Sequence, residues 1–226
     1  MQDTLTLLAQ HHCGGKAFVQ KMKDSANNRF GEEFWRAWDI YILPVLSEPP
    51  RIADFCCGPG VLLSRLRERY PKAHLIGVEC APWMLETLDS THYEVIDHDL
   101  QTPNMPIADN SLDAITNIFC LHEMVQPIRL LQSIHRCLKP GGRCFITDWV
   151  RASLDSYVAE EISADIFDQK TSEEKLDNIF THFIEHNRYT QNDIIWLLQS
   201  MNFTVLESGA LQGGKFWQWI VEKKRA

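Results

Sequence analysis

The stretch Ile52-Ala53-Asp54-Phe55-Cys56-Cys57-Gly58-Pro59-Gly60 carries the most specific chemistry in this 226-residue chain. An apolar run holding one carboxylate leads into a glycine turn, and a helical pattern with Leu62, Leu63 and Leu66 on one face follows. Such a turn lets backbone approach a ligand closely and aims the N–H groups of the next helix at it. A dinucleotide fingerprint needs a third glycine three positions after Gly60, where helix and strand pack, and Leu63 stands there instead. Two carboxylates fall where a nucleoside needs acceptors. Glu79 closes the second apolar run, 19 residues beyond Gly60, and can accept from both ribose hydroxyls. Asp99 follows the third run, where it can accept from an adenine amino group.

His122 and Glu123 form a second group, just beyond the fourth apolar run. An imidazole titrates near neutral pH and can take a proton from a hydroxyl, amine or thiol. Glu123 can orient that ring or touch a substrate. The alternative for His122 is a histidine that packs or hydrogen-bonds against the N-terminal segment. Asp148 and Trp149, at the end of the fifth run, are further candidates for a pocket wall. Asp113 and Lys139-Pro140-Gly141-Gly142 read as structural, the latter as a turn.

These residues need a scaffold that brings the ends of several runs together. Arg51–Cys56, Ala73–Glu79, Leu112–Phe119 and Arg143–Trp149 are short and apolar, as buried strands are, and Tyr93–Ile96, third in chain order, is shorter. Helical patterns separate them: Met84, Leu85 and Leu88 after Pro82, and Ile128, Leu131, Ile134 and Leu138 after Pro127. Strand and helix in alternation predict a parallel sheet with helices on both faces. Thr190 and Asp193 form a capping-box pattern before Ile194, Leu197, Leu198 and Met201. Phe203–Leu206 and Phe216–Val221 then read as strands joined by a short turn through Gly213-Gly214, which forces an antiparallel pair.

In order and spacing these features resemble the class I S-adenosylmethionine (SAM)-dependent methyltransferases, in particular the type 11, UbiE-like group. The likeness runs over about residues 50–150 and extends in topology to the closing hairpin. It implies a Rossmann-like, doubly wound α/β fold: a mostly parallel seven-stranded sheet with an antiparallel last strand, plus a helical cap. It implies SAM as cofactor. Asp54, Cys57, Gly58 and Gly60 match the first motif, which wraps the methionine part. Glu79 matches the ribose carboxylate, and Asp99, with the backbone of Leu100, the adenine-side acid. Cys56, Cys80 and Asn117 complete the cofactor-binding candidates, and His122 and Glu123 are the catalytic ones. Cys56 replaces the usual first glycine, and the gap from Asp99 to Pro106 is about two residues longer than is common. Residues 1–48 are expected to form an N-terminal helical cap. Residues 49–226 are expected to form the SAM-binding domain, with a helical lid inserted at about 150–189. Phe30, Phe34, Trp35, Trp38, Tyr41, Tyr157 and Phe167 either line an apolar pocket or pack cap against core.

Composition narrows the partners. With Lys+Arg at 22 against Asp+Glu at 30, the formal charge of −8 repels phosphate backbones, so neither nucleic acid nor anionic membrane is expected as a partner. Asn117-Ile118-Phe119-Cys120 shares only its asparagine with the Asn-Pro-Pro-Tyr box of base and amide N-methyltransferases, which also favours a small-molecule acceptor. A protein or carrier-bound acyl substrate, a SAM-binding protein without catalysis and an NAD-dependent oxidoreductase are the alternatives. No basic segment followed by an apolar run opens the chain, and nothing approaches ~18 consecutive apolar residues. A cytoplasmic protein is therefore expected. The seven cysteines are odd in number and lack a CxxC pair. They are expected to be free buried thiols, with no metal at Cys56-Cys57 or His11-His12-Cys13.

Overall fold

The computed structural model describes residues 4–12, 15–161, 164–186 and 188–225. Its centre is a seven-stranded sheet ordered β3-β2-β1-β4-β5-β7-β6. The strands are β1 (Arg51–Phe55), β2 (His74–Glu79), β3 (Glu94–Asp97), β4 (Leu112–Ile118), β5 (Leu138–Trp149), β6 (Phe203–Leu211) and β7 (Phe216–Lys223). Strands β1 to β5 pair in parallel, whereas β7 runs antiparallel to both β5 and β6. The reversed strand is thus β7, as the short hairpin connection requires.

Helices pack on both faces. On one, Leu62, Leu63 and Leu66 of α5 (Val61–Arg69) meet Phe34, Trp38 and Ile42 from the N-terminal region. On the other, Leu130, Leu131 and Ile134 of α7 (Ile128–Cys137) join Ile194 and Leu198 of α10 (Gln191–Ser200). Thr190 caps α10 as its sequence pattern requires: its Oγ1 accepts from Asp193 N–H at 3.1 Å, and its own N–H donates to Asp193 Oδ2 at 2.8 Å. Short helices α1 (Thr4–His11), α2 (Lys16–Asp24), α3 (Ala26–Arg29) and α4 (Glu32–Ala37) precede β1, and a π-helical turn, Trp38–Ile42, continues α4. A four-residue α6 (Pro82–Leu85) follows β2, and α8 (Leu154–Glu161) and α9 (Glu173–His186) lie between β5 and α10. The apolar stripe of α9 is only partly covered, since Phe180 and Ile184 are exposed.

Several sequence boundaries are corrected. β1 and β4 each stop a residue early because Cys56 and Phe119 take left-handed φ values of 61° and 56°, which break the ladder. Lys139-Pro140-Gly141-Gly142 is not a turn between elements but a bulge inside β5: Leu112 faces Leu138, and Ala114 then faces Arg143. Asp113, opposite that bulge, is structural. Its carboxylate takes bonds from Ser47 Oγ at 2.6 Å, Arg51 N–H at 2.8 Å and Lys139 Nζ at 2.5 Å. The expectation that the thiols are all free is also overturned, because Cys56 and Cys120 form a disulfide. Cys57, Cys80, Cys137 and Cys144 are free, and Cys13 lies outside the described residues.

Gly60 opens α5 at φ 74°, and a Cβ there would sit 2.3 Å from Tyr93 Oη and 2.8 Å from a Leu88 methyl. Gly58 also has positive φ, at 53°, but a Cβ there would meet nothing within 4 Å. Gly60→Ala is therefore expected to destabilise the protein by roughly 2–4 kcal/mol, through strain and overpacking together. Gly58→Ala should cost only about 1 kcal/mol, from its backbone alone. Urea denaturation measures both, and equal losses at the two positions would contradict this packing.

Candidate functional site

The carboxyl ends of β1, β2 and β4 open into one cavity of about 850 Å³, within the range of small-molecule sites. It lies where the strand order reverses, β1 sending its chain to β2 on one side and pairing with β4 on the other. Open α/β sheets leave a crevice at that point. Ten of the twelve sequence candidates line this cavity: Asp54, Cys56, Cys57, Gly58, Glu79, Cys80, Asp99, Leu100, His122 and Glu123. Gly60 and Asn117 do not. Gly60 is fixed by packing against Tyr93, and Asn117 is fully buried in the sheet, where its Nδ2 donates to Phe55 C=O at 3.1 Å.

Glu79 ties the loop after β1 to the loop after β2. Its Oε2 accepts from Gly58 N–H at 2.9 Å, and its Oε1 from Cys80 and Ala81 N–H at 2.8 and 2.9 Å. Burial raises its pKa, against the lowering effect of those three bonds. Carboxylate oxygens carry spare lone pairs, so further hydroxyl donors can be accepted from the cavity side. Asp99 is held by Thr4 Oγ1 at 2.6 Å and Gln101 N–H at 2.9 Å. Helix α1 thereby touches the adenine-side candidate directly.

Two charges face the cavity without full compensation. Burial pushes Asp54 up to about 7, although Thr116 Oγ1 donates to it at 2.6 Å and Arg29 lies near; Glu79 adds to the rise. Arg29, at the end of α3, is itself largely buried, and its pKa is lowered mainly by that burial. Its guanidinium donates to Met22 C=O and lies over the rings of Phe30 and Phe119 at 5.4 and 5.9 Å, while its buried Nε has no partner among the described residues. An unpaired buried N–H is costly, and a ligand carboxylate would relieve it. Sequence reading missed Arg29, because an arginine in an irregular helical cap has no periodicity or motif to mark it.

The cavity wall also includes His122. The Asp148 carboxylate accepts Cys120 N–H at 2.8 Å, Leu121 N–H at 2.5 Å and Trp149 N–H at 2.7 Å, and pairs with His122 Nδ1 at 2.6 Å. With Nδ1 committed to Asp148, the ring's Nε2 lies 3.7 Å from Glu123 Oε1. Burial alone would lower the pKa of His122, but the charge and hydrogen bond of Asp148, with Glu123 behind them, raise it above its ordinary value. Glu123 also meets His12 Nε2 at 3.1 Å. Trp83 Nε1–H donates to His12 Nδ1 at 3.2 Å, which places the His12 proton on Nε2, toward Glu123. His122 thus faces the cavity, and its neighbour Glu123 is linked to the N-terminal helices through His12. Phe119, Trp149 and Phe216 cluster here, with ring centroids 4.7–5.0 Å apart. Of the other aromatic candidates, Phe30 lines the cavity, Phe34 and Trp38 pack into the core, and Phe167 is exposed.

The "Methyltransferase domain" family matches residues 27–208. The chain belongs to that family. Its curated relatives include the demethylmenaquinone methyltransferase of Chlamydia trachomatis, 26% identical over 119 residues and matched over 51% of each chain. Another is the 2-phytyl-1,4-naphtoquinone methyltransferase of Nostoc punctiforme, 33% identical over 107 residues, 44% of this chain and 46% of that one. The chain spans about half the length of the curated relatives it matches. Among solved structures, the plantazolicin methyltransferase BpumL, in complex with a desmethylPZN analog and SAH, superposes with a TM-score of 0.68. It is 17% identical, with 98% of this chain and 96% of that one covered. The Rossmann-like fold of the methyltransferase-domain family is thus shared over nearly the whole chain.

The His122–Asp148 pair yields a pH-dependent expectation. A histidine whose folded pKa is raised stabilises the protein fully below its unfolded value, near 6.5, and that contribution is lost as pH rises through the folded value. Imidazole NMR should show His122 titrating above 6.5 in the wild type and at least about one unit lower in Asp148→Asn. A wild-type His122 that titrates below 6.5 would show that the pair does not hold in solution.

Proposed function

We propose that the chain is a SAM-dependent methyltransferase whose acceptor is a small molecule with a flat, apolar ring. The observation that carries this reading is one chamber lined both by the cofactor-binding candidates and by His122, which pairs with Asp148, among aromatic rings. The residues present fit SAM. Gly58 leaves open space on the cavity side, Glu79 offers carboxylate oxygens, Asp54 suits a cationic group and the unpaired Arg29 Nε suits a carboxylate. SAM supplies a methyl group already activated by its sulfonium, so the protein mainly has to align an acceptor and remove its proton where it carries one. His122 is proposed as the base. Asp148 holds the proton on Nδ1, leaving Nε2 as the accepting atom and stabilising the ring once charged. Glu123 adds to that stabilisation and, with His12, fixes the loop. The quinone and naphthoquinone names of the relatives, the aromatic cluster and the acidic net charge support a small ring-bearing acceptor. The helices at 150–189 are proposed as a lid over this end, since His182 of α9 reaches the cavity wall.

Incubation with methyl-labelled SAM and either the low-molecular-weight or the protein fraction of a cell extract tests the acceptor class. Label is expected in the small-molecule fraction, and label confined to protein would overturn the proposal. Glu79→Ala should weaken S-adenosylhomocysteine binding by roughly 1.5–3 kcal/mol. His122→Ala should lower turnover by about 100-fold with little change in that affinity. Retained turnover would remove His122 from the reaction.

The Asp54 pKa near 7 adds a sign. A carboxyl raised in the folded state lowers stability as pH climbs from about 4 to 7, and it becomes an attractive anion only above that range. SAM affinity should therefore rise between pH 6 and 8, and calorimetric titration should show the dependence flatten in Asp54→Asn.

A further inference from the structure

We propose that Cys56 and Cys120 form a reversible thiol–disulfide modification site inside the cavity, whose oxidised state slows ligand exchange and hence turnover. The inference rests on the reading of this cavity as the cofactor site. Both cysteines line the cavity, and their Cα atoms are 6.1 Å apart, within the span a disulfide needs. Cys56 is the first residue past β1 and Cys120 lies two past β4. The bond therefore joins the glycine turn that would wrap the cofactor to the segment that carries His122. Those two strands are already paired, up to Phe55 beside Asn117. In the folded protein, what the bond restrains is the two loops beyond the strands.

Chemistry singles out this pair. Cys57 and Cys144 are buried thiols pushed far up by burial, with nearby carboxylates adding to the rise, and the half-buried Cys80 is pushed up for the same reasons. Such thiols are poor thiolate donors. Cys56 is only partly buried, whereas Cys120 is 2% exposed. Cys56 is then the sulfur that an incoming low-molecular-weight disulfide of the glutathione type reaches, and Cys120 resolves the mixed disulfide. The Cys56 thiol loses its proton, its thiolate attacks the small disulfide, and one thiolate leaves and is protonated. The Cys120 thiolate then attacks Cys56 Sγ in the mixed disulfide and expels the second. The protein loses two electrons and two protons, and one small disulfide becomes two thiols. Excess small thiol reverses the sequence.

The functional consequence follows from position. The Cys120 N–H is anchored on Asp148 at 2.8 Å, so the acceptor-side segment is the fixed partner. Cys56, held at φ 61°, becomes tethered to it. A ligand wrapped by the turn at Cys57 and Gly58 leaves only as that turn yields, and the bond prevents it from yielding.

The test uses the full chain, reduced and then equilibrated in excess reduced or oxidised glutathione. Alkylation under denaturing conditions followed by intact mass counts the thiols, seven in the reduced chain. The oxidised sample should show two fewer. S-adenosylhomocysteine should dissociate roughly fivefold more slowly from it by stopped flow, with steady-state turnover lowered and restored by reductant. In Cys120→Ser the two treatments should give the same dissociation rate. Seven alkylated thiols after oxidation, equal dissociation rates with the disulfide formed, or a redox response that survives in Cys120→Ser would each overturn the inference and leave the cofactor reading standing. A higher melting temperature on oxidation with unchanged ligand kinetics would also overturn it, by making the bond a structural staple. Failure of S-adenosylhomocysteine to bind either form would overturn the cofactor reading and this inference with it.

Discussion

A carboxylate cut off from water must find partners for both oxygens or lose its charge. Asp148, 1% exposed, finds its partners in the short segment after β4 and in its own neighbour: the N–H groups of Cys120 and Leu121, with a longer contact to that of His122, the His122 ring, and Trp149 N–H. The bonds do two things at once. They fix the turn after β4 to the end of β5, and they hold an imidazole at the cavity wall with its Nδ1 side committed. Arg188 and Tyr189 brace the same turn from outside, donating to the carbonyls of His122 and Met124 at 3.0 and 2.9 Å. The shape of one end of the cavity therefore depends on one buried charge being satisfied. Few arrangements of the segment would satisfy it equally well.

The strand ends that open into the cavity are set by backbone rather than charge. β1 and β4 are neighbours at the point where the strand order reverses, and each is cut short by a residue at left-handed φ, Cys56 and Phe119. Left-handed conformations cost energy for residues with a Cβ, so the surrounding packing has to hold them. The gain is that the chain turns away sharply from the sheet on both strands, and the crevice between them becomes a cavity instead of filling with side chains. Glu79 then ties the glycine turn to the end of β2 through Gly58 N–H. Three strand ends thus share one wall.

Much of this was legible in the sequence because it is local. The mostly parallel sheet follows from alternation, and one reversed strand near its end follows from a hairpin too short for a crossover. The positions of Glu79, Asp54 and Gly58 follow from strand ends and a glycine turn. What escaped is tertiary. Arg29, His12 and the anchoring role of Asp148 acquire their places only when helices from distant parts of the chain close over the sheet. Gly60 was legible as a glycine that had to be one, but the reason, Tyr93 and Leu88 pressing on its α-carbon, belongs to packing. Lys139–Gly142 looks like a turn by composition and is a bulge because the chain resumes its pairing with β4 at Arg143, opposite Ala114. Cys56 and Cys120 lie 64 residues apart in sequence, and no spacing rule links cysteines at that distance.

The cavity also carries a thermodynamic signature of what it would hold. Asp54 is driven toward its neutral form and, among the described residues, Arg29 has a buried N–H without a partner, so the fold holds two groups in an unfavourable state. Folding alone would select against both: an apolar residue at either position would pack at lower cost. They do not satisfy each other, since Asp54 stays raised with Arg29 nearby and Arg29 stays lowered with Asp54 nearby. A ligand bearing one cationic and one anionic group, such as the amino-acid end of SAM on the proposed reading, would relieve both. Departures from the folding optimum concentrate where a protein binds or reacts. Here they lie in the first helices and at the end of β1, on the wall of the same cavity that the glycine turn leaves open.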